Sequence, residues 1–190
     1  MKSLAFAAAL ALSSASAAFA ADSYVLDASH SQVVFTYNHL GFSTTYGMFS
    51  GFEGEIMFDE AAPQASSVSV SMPVKSMFTG WEAREGHFMG PDFFNAAEGD
   101  MITFTSTAIE VTGDDTALIT GDLSMNDITQ SVVLDAKLNK AGTNPLAGKP
   151  WLGFDATTTV LRSDFGLGAF APAVSDEVQV MISIEAQKAE

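Results

Sequence analysis

The chain has 190 residues, with 23 acidic and eight basic side chains, a formal net charge of −15 and no cysteine. This length fits one domain with a sizeable core, and without cysteine that core must be stable without disulfides. The acidity argues against nucleic acid or an anionic membrane surface as a partner, because either would repel such a field. We interpret the acidity as a solubility feature, with an acidic docking face as the alternative.

The first twenty residues have the layout of a secretory signal peptide. Lys2 precedes an apolar run over residues 4–12, and Ala18-Phe19-Ala20 favours cleavage after Ala20. The run is too short to cross a bilayer core, which needs about 20 apolar residues. We therefore expect a periplasmic mature domain of residues 21–190, with no stable membrane insertion. Loss of Lys2 leaves seven basic residues and a net charge of −16.

After the signal peptide, eight runs alternate apolar and polar residues between turn-forming residues, which predicts eight β-strands. Their apolar faces or bounds, in chain order, are Val33, Phe35, Tyr37 and His39; Phe49, Phe52, Ile56 and Phe58; Val68, Val70, Met72 and Val74; Ile102, Phe104, Ser106 and Ala108; about Ala117 to Met125; Val132, Leu134, Ala136 and Leu138; Trp151 to Leu161; and Val178, Val180, Ile182 and Ile184. Gly113-Asp114-Asp115 predicts a hairpin turn between the fourth and fifth strands. Regular strands with short connections predict an all-β barrel or sandwich.

One helix interrupts this pattern between the third and fourth strands. Thr79-Gly80-Trp81-Glu82 fits a capping box at a helix start, and Gly90-Pro91 is a stop signal. Trp81 and Phe88 fall on one side of the helical wheel, with Arg84 beside them. We expect this side to pack against the mouth of a barrel.

The aromatic content favours an interior that holds a ligand. Thirteen of the fifteen phenylalanines remain after signal-peptide cleavage, and most of them are expected to fill a core. An eight-stranded barrel is just wide enough to be filled by side chains or to enclose one small ligand. Gly51, Gly54 and Gly121 are expected to leave room inside, and the first two to mark a bulge or bend.

Arg84 and Arg162 each have two interpretations. An arginine here could lie with its aliphatic stem on the barrel and its guanidinium in water or paired to an acid. It could instead clamp a polar or phosphate head group at the cavity mouth, since a guanidinium binds such oxygens bidentately.

The three histidines, His30, His39 and His87, are enough in number for a zinc site, but their spacing fits no metal motif. No His-Glu-x-x-His sequence occurs, and no cysteine is available as a ligand. We therefore predict ordinary hydrogen-bonding histidines and no metal.

Two further patterns lack the context that would give them a catalytic meaning. Ser29-His30-Ser31 lies beside Asp27, but sequence neighbours are not a triad and no Gly-x-Ser-x-Gly elbow is present. Residues 166–171 match a glycine-rich dinucleotide pattern, yet Pro172 follows and no βαβ unit surrounds them. We predict no catalytic residues and no cofactor.

A series of short motifs in a fixed order spans nearly the whole mature chain. They are Asp27-Ala28-Ser29-His30-Ser31 with Phe35 and His39, Gly47-Met48-Phe49, Phe52-Glu53-Gly54, Arg84-Glu85-Gly86-His87, Asp92-Phe93-Phe94, Ile102-Thr103-Phe104, Thr120-Gly121-Asp122-Leu123, Ile128-Thr129 and Arg162-Ser163-Asp164-Phe165-Gly166. In order and spacing these motifs resemble the YceI-like family of exported, lipocalin-like proteins. The chain departs from the family pattern at Glu85, Asn95 and Asp127, where Asp127 replaces a typical glycine and is expected to alter a turn.

The resemblance implies an eight-stranded antiparallel lipocalin-like β-barrel with an elongated apolar cavity, often dimeric. It also implies binding of polyisoprenoid or related lipids, for carriage, storage or stress response, without established catalysis. Two alternatives stay open. One is an acidic interaction or structural module whose barrel is filled by its own side chains. The other is an enzyme acting on a bound lipid, with His30 or His87 as base.

The expected ligand-binding residues are aromatic side chains that would face the ligand's tail and polar groups that would orient its head. They are His30, Phe35, Tyr37, His39, Phe49, Phe52, Trp81, Arg84, His87, Phe88, Phe93, Phe94, Phe104, Phe154, Arg162 and Phe165. The partner expected is an apolar lipid, with a homodimer as a further possibility.

Overall fold

The computed structural model describes residues 21–190 of the chain, and the predicted signal peptide, residues 1–20, lies outside them. Within the described residues there are ten β-strands and one α-helix. The strands are Asp22–Leu26 (β1), Gln32–His39 (β2), Ser43–Phe49 (β3), Glu53–Phe58 (β4), Ser67–Pro73 (β5), Met101–Val111 (β6), Thr116–Met125 (β7), Ile128–Thr143 (β8), Pro150–Leu161 (β9) and Glu177–Lys188 (β10), and the helix is Glu82–Met89 (α1).

The ten strands form the eight walls of a closed antiparallel barrel. β1 and β2 pair with successive stretches of β10, where Leu26 faces Ala186 and Gln32 faces Ser183. β4 pairs with β1 and β3 pairs with β2, so β1 and β2 together form one wall, and β3 and β4 together form the next. The other strands pair in chain order, and β1 with β10 closes the ring. The predicted eight-stranded barrel, with a helix between its third and fourth walls, is confirmed.

The predicted apolar faces line the interior wherever the strands are regular. Every residue of the predicted faces on β8 and β10 does so. On β6 the prediction holds for Ile102 and Phe104 and is wrong for Ala108, because a bulge just before Ala108 shifts the register. After that bulge Ile109 and Val111 line the interior instead, since one extra residue exchanges the two faces of a strand.

The second predicted strand is bent into β3 and β4 at Gly51. Gly51 has φ +70°, a left-handed conformation that glycine adopts without steric cost. Phe49, Phe52 and Ile56 all line the interior. Phe49 and Phe52 are three residues apart, a spacing that would put them on opposite faces of a regular strand, and the bend between them brings both inside. The predicted bend is confirmed at this position.

Two inward-facing rings lie against glycines of neighbouring strands. A Cβ atom on Gly121 would overlap the ring of Phe104 and lie 2.6 Å from the Thr105 carbonyl oxygen. A Cβ atom on Gly47 would overlap the ring of Phe35 in the same way. The expectation that Gly121 leaves empty space is wrong, because the Phe104 ring occupies that space.

The start of α1 differs from the predicted capping box. Trp81 is the N-cap residue and its side chain makes no capping bond, so the helix begins two residues later than a Thr79 cap requires. The amide and hydroxyl of Thr79 donate instead to Glu85 Oε1, at 2.7 and 3.3 Å. Gly90 ends the helix as predicted. No helix in residues 21–190 is long and apolar enough to span a membrane.

The β7–β8 turn retains a tight hairpin geometry despite its unusual second residue. Met125 pairs with Ile128, and the two residues between them, Asn126 and Asp127, have φ +53° and +59°. Positive φ at both positions defines the type I′ turn, which Asn and Asp tolerate. Asp127 therefore occupies this turn without lengthening it. The side-chain amide of Asn126 donates to the Phe165 carbonyl at 2.9 Å and holds the turn against the segment after β9.

Gly121→Ala tests the close approach between β6 and β7. We expect this variant to lose about 1–3 kcal/mol of unfolding free energy, because the added methyl must displace a ring and approach a carbonyl oxygen. The matched control is Gly153→Ala on β9, where a Cβ atom would meet nothing within 4 Å. Urea denaturation of both variants measures the difference. Equal stability in the two would contradict the described packing.

Candidate ligand-binding cavity

A cavity of about 710 Å³ runs through the barrel. At one end Trp81 and Arg84 line it, and we call this the helical end, formed by the β2–β3 turn, residues 78–100 and residues 162–176. At the other end the cavity reaches the β6–β7 turn at Asp114 and Asp115. Its volume lies within the range of about 300–1,000 Å³ that small-molecule sites occupy. A space that reaches both ends of a barrel suits an elongated molecule.

The cavity wall is predominantly apolar between these ends. On two long strands that flank β9, namely β8 and β10, the inward residues are all aliphatic: Val132, Leu134, Ala136, Leu138, Val178, Val180, Ile182 and Ile184. Most of them are only half-buried, since they border open space and not a filled core. Such a wall favours an apolar occupant through removal of apolar surface from water, a force without directional demands.

The structure brings fourteen of the sixteen predicted ligand-binding residues to this cavity. These fourteen line its wall or its helical end: Phe35, Tyr37, His39, Phe49, Phe52, Trp81, Arg84, His87, Phe88, Phe93, Phe94, Phe104, Phe154 and Arg162. Aromatic residues on strand faces and polar residues near the helix therefore converge on one space.

The other two predicted residues lie elsewhere. Phe165 is 1% exposed and packs beside Val160 and Leu167, because the short turn after β9 directs its ring into the protein core and away from the cavity. His30 lies in the short turn between β1 and β2, where its side chain is exposed outside the barrel. Neither residue is placed to contact a molecule inside the cavity.

An aromatic cluster forms one side of the helical end. The ring of Phe93 lies 5.0 Å from that of Phe88 and 5.1 Å from that of His87, both edge to face. Phe170 approaches Phe93 at 6.1 Å, and Tyr37 on β2 approaches Phe88 at the same distance. The backbone of residue 94 bonds to that of Phe88, which holds the segment after α1 against the helix. The cluster thus joins three parts of the chain around the opening.

Arg84 keeps most of its hydrogen-bonding capacity free. Its guanidinium lies 5.6 Å from the centre of the Trp81 ring and donates one long bond, 3.3 Å, to the Thr79 carbonyl. The side chain is half-buried and borders the cavity. The guanidinium thus lies over the Trp81 ring and keeps donors available at the opening.

Arg162 is buried and its donors are nearly all used by the backbone. Nε donates to the Ser175 carbonyl at 2.8 Å, Nη1 to those of Leu167 and Ala169, and Nη2 to that of Val174 at 2.8 Å. A guanidinium has five N–H groups, so only one remains for a ligand and a bidentate clamp is not available. Burial lowers the pKa of this guanidinium from its ordinary value.

Asp27, His30 and Glu185 form a polar cluster outside the cavity. Within residues 21–190 they are the one group of potential metal-ligating side chains brought together, with ligand atoms within 4.8 Å of one another. His30 Nδ1 lies 2.6 Å from an Asp27 carboxylate oxygen, and Trp151 Nε1 donates to Glu185 at 2.8 Å. Each of the three side chains therefore has a hydrogen-bond partner within the protein.

The predicted site lacks the aliphatic wall and two aromatic residues that line the cavity, Phe58 and Phe170. Leu134 and Val180 belong to predicted inward faces, but the predicted ligand-binding set contains only aromatic and polar residues. The alternation of β8 and β10 was the signal that could have included them. Phe170 lines the helical end from a segment without periodicity, and no sequence pattern indicated it.

Arg162→Lys tests whether this arginine is a structural anchor. A lysine cannot reach four carbonyls with one ammonium group, so we expect a loss of about 3 kcal/mol in unfolding free energy. The matched control, Arg84→Lys, should lose less than about 1 kcal/mol because Arg84 makes one long hydrogen bond and one stacking contact. Chemical denaturation measures both, and a loss at Arg84 as large as at Arg162 would contradict this assignment.

The ion pair of His30 with Asp27 predicts a pH dependence. The hydrogen bond and charge of Asp27 raise the pKa of His30 above 6.5, and bonds from His30 and Ser29 lower the pKa of Asp27 below 3.8. The His30 contribution to stability is complete below pH 6.5 and is lost as the pH rises through the raised pKa. The Asp27 contribution is complete above pH 3.8 and is lost on acidification. The pair therefore stabilises the fold most between these two values.

NMR titration of the His30 ring protons measures the pKa of His30. In Asp27→Asn the His30 pKa should fall toward its ordinary value, since the carboxylate that favours the charged ring is gone. A His30 pKa that is the same in the variant and in the unaltered protein would show that Asp27 is not its partner.

Comparison with known proteins agrees with this architecture. The family model of the YceI-like domain matches residues 24–186. Protein YceI of Escherichia coli is 40% identical over 174 residues, 90% of each chain. Burkholderia cenocepacia BcnA superposes with a TM-score of 0.75 at 24% identity, over 84% of this chain and 98% of that one. A polyisoprenoid binding domain from Saccharophagus degradans, implicated in plant cell wall breakdown, superposes with a TM-score of 0.69 at 15% identity, over 87% and 98%. A family match across the whole barrel, together with 40% identity to a full-length relative, shows that the chain belongs to the YceI-like family.

Proposed function

We propose that this protein holds a polyisoprenoid, or a similar long-chain apolar molecule, in the barrel cavity for carriage or storage in the periplasm. The observation that carries the proposal is the continuous apolar cavity of about 710 Å³, with polar groups concentrated at its ends. The predicted signal peptide supports export, and the Saccharophagus degradans neighbour is itself described as a polyisoprenoid binding domain.

The cavity wall and the helical end contribute differently to the free energy of binding. A tail that hides about 400 Å² of apolar surface gains about 10 kcal/mol at about 25 cal/mol per Å², before the cost of ordering. One head-group hydrogen bond adds only about 1 kcal/mol. The tail therefore sets affinity, while Arg84 and His87 at the helical end orient the head group and select among ligands.

A catalytic role receives less support from the geometry. Ser29 Oγ and Asp27 Oδ2 both approach the same ring nitrogen of His30, at 3.1 and 2.6 Å. A catalytic triad needs the serine and the carboxylate on opposite nitrogens of the imidazole. These residues are also exposed outside the barrel, away from the proposed ligand. His87 at the cavity bonds to Asp92 at 3.3 Å, and no serine within residues 21–190 makes a hydrogen bond to either side chain.

The open interior also favours ligand binding over the structural alternative. An acidic module without a ligand would be expected to fill its barrel with its own phenylalanines and methionines. Here the rings of Phe35 and Phe104 lie against glycines of the wall, and the space between the walls is open.

Native mass spectrometry of protein isolated from the periplasm tests the proposal. We expect a mass above that of the polypeptide of residues 21–190, and an isoprenoid-like lipid in an organic extract of the same sample. A bare polypeptide mass with no extractable lipid would contradict the proposal.

A pair of tryptophan variants on β8 tests where the ligand lies. Leu134→Trp places an indole inside the cavity, whereas Val133→Trp places it on the outer face, where Val133 is 47% exposed. We expect Leu134→Trp to weaken binding of the fluorescent apolar probe N-phenyl-1-naphthylamine by roughly tenfold, since it removes buried probe surface. Val133→Trp should bind the probe as the unaltered protein does, and an equal loss in both would contradict an internal site.

A further inference from the structure

The short turn between β1 and β2 brings three metal-ligating side chains together on the outside of the barrel. Asp27 and His30 belong to the turn, and Glu185 lies on the neighbouring strand β10. One potential ligand atom from each of the three side chains lies within 4.8 Å of the other two. One imidazole and two carboxylates form a donor set that suits a divalent transition metal, and Zn²⁺ in particular.

Strand pairing fixes the position of this turn on β10. β1 ends and β2 begins against β10 on either side of Glu185, so the turn passes directly beside that residue. The Asp27 amide donates to the Glu185 carbonyl at 2.8 Å. The Glu185 amide donates in turn to Ser31 Oγ at 3.3 Å. The three side chains therefore project from backbone whose relative position is set by hydrogen bonds.

Hydrogen bonds from neighbouring groups orient both carboxylates. Asp27 Oδ1 accepts from the Ser29 amide at 3.0 Å and from the Ser29 hydroxyl at 2.6 Å, while Oδ2 lies 2.6 Å from His30 Nδ1. Glu185 Oε2 accepts from Trp151 Nε1 at 2.8 Å. Bonds of this kind hold the ligands of metal sites in place. A carboxylate offers about four acceptor positions, so both side chains keep capacity for an ion.

The lysines beside the cluster are paired with other carboxylates. Lys149 and Lys188 border the same shallow groove as Asp27. Lys149 Nζ lies 2.9 Å from a carboxylate oxygen of Glu190, and Lys188 Nζ lies 2.5 Å from one of Asp22. Within residues 21–190, no lysine or arginine forms an ion pair with either carboxylate of the cluster. A bound cation therefore does not have to displace a basic side chain.

We propose that Asp27, His30 and Glu185 bind a divalent transition metal ion, with Zn²⁺ as the best fit and water completing its coordination. Zn²⁺ holds nitrogen and carboxylate oxygen ligands at about 2.0–2.2 Å, so two ligands at a tetrahedral angle lie about 3.4 Å apart. His30 Nδ1 and Asp27 Oδ2, now 2.6 Å apart, separate by about 1 Å to reach this geometry. The His30 side chain is 64% exposed and has room for this movement. The proton shared by this pair leaves to solvent, since metal ligands must be deprotonated.

The bound ion links the turn to β10 at the place where the barrel closes. β1 and β10 pair to complete the ring, and the metal adds a second connection beside that pairing. An ion that binds only the folded chain stabilises it. The site lies outside the cavity, so the inference does not depend on the proposed function. The spacing of the histidines predicts no metal because the third ligand comes from the last strand, which only the fold brings beside the turn.

Titration of residues 21–190 with zinc chloride tests the site. The protein carries no affinity tag and is treated with EDTA beforehand. We expect calorimetry to show one bound equivalent of Zn²⁺. In NMR, the ring protons of His30 should shift until one equivalent is added, whereas those of His39 and His87 should not. Mg²⁺ at the same concentration should leave His30 unchanged, because this ion prefers oxygen ligands.

Glu185→Gln separates a metal site from a hydrogen-bonded pair. This variant removes one ligand and leaves Asp27 and His30 in place, so we expect Zn²⁺ affinity to fall about tenfold or more. The matched control is Glu98→Gln, because Glu98 is 91% exposed and bonded to Lys75, away from the cluster. It should bind Zn²⁺ as the unaltered protein does. Thermal denaturation without metal checks that both variants are folded.

Any of four outcomes would overturn the metal site. They are no saturable binding of Zn²⁺ to the unaltered protein, shifts at His39 or His87 in place of His30, the same Zn²⁺ affinity in Glu185→Gln and Glu98→Gln, or an equal response of His30 to Mg²⁺. The last would show general attraction of cations to an acidic chain. The NMR shifts are read on the unaltered protein, so the test is decisive even if Glu185→Gln does not fold.

Discussion

The contact between inward aromatic rings and glycines of adjacent strands keeps this barrel open. Eight walls enclose a space that a few large side chains would fill, and Phe35 and Phe104 are large enough to cross much of it. Because Gly47 and Gly121 have no Cβ atom, the two rings lie against the wall instead. The cavity, its apolar surface and the proposed ligand all depend on this arrangement, which also makes the wall thin and intolerant of a methyl group at Gly121.

The two arginines near the opening have separate roles that follow from their hydrogen bonds. Arg162 binds four backbone carbonyls from residues 167–175 and so fixes the shape of the segment that carries Phe170. Arg84 is stacked on Trp81, makes one long bond and retains donors toward the cavity. A buried anchor and a half-buried, adaptable donor are what an opening needs if its frame is rigid and its contacts vary with the ligand.

Much of the fold follows from local pattern, and the exceptions have physical causes. Strict alternation identified the inward faces of β8 and β10, because a strand repeats every two residues. The bulge before Ala108 escaped prediction, since it arises from the pairing of β6 with β7 and leaves no mark in the sequence of β6 alone. The helix start was misassigned because Glu85 and not Glu82 bonds back to Thr79.

The site was predictable to a similar extent. Aromatic residues on predicted strand faces reached the cavity, because a closed barrel has only one interior. Phe165 and His30 did not, since each lies in a short turn whose direction depends on distant contacts.

The central claim is that an apolar molecule occupies the space between the walls. Methyl NMR of lipid-extracted protein titrated with farnesol, used as an isoprenoid probe, tests it most directly. The account predicts chemical-shift changes at the inward methyl groups of Val70, Leu134 and Ile182, with little change at the outward methyls of Val133. Shifts confined to outward residues, or no saturable shifts at all, would contradict it.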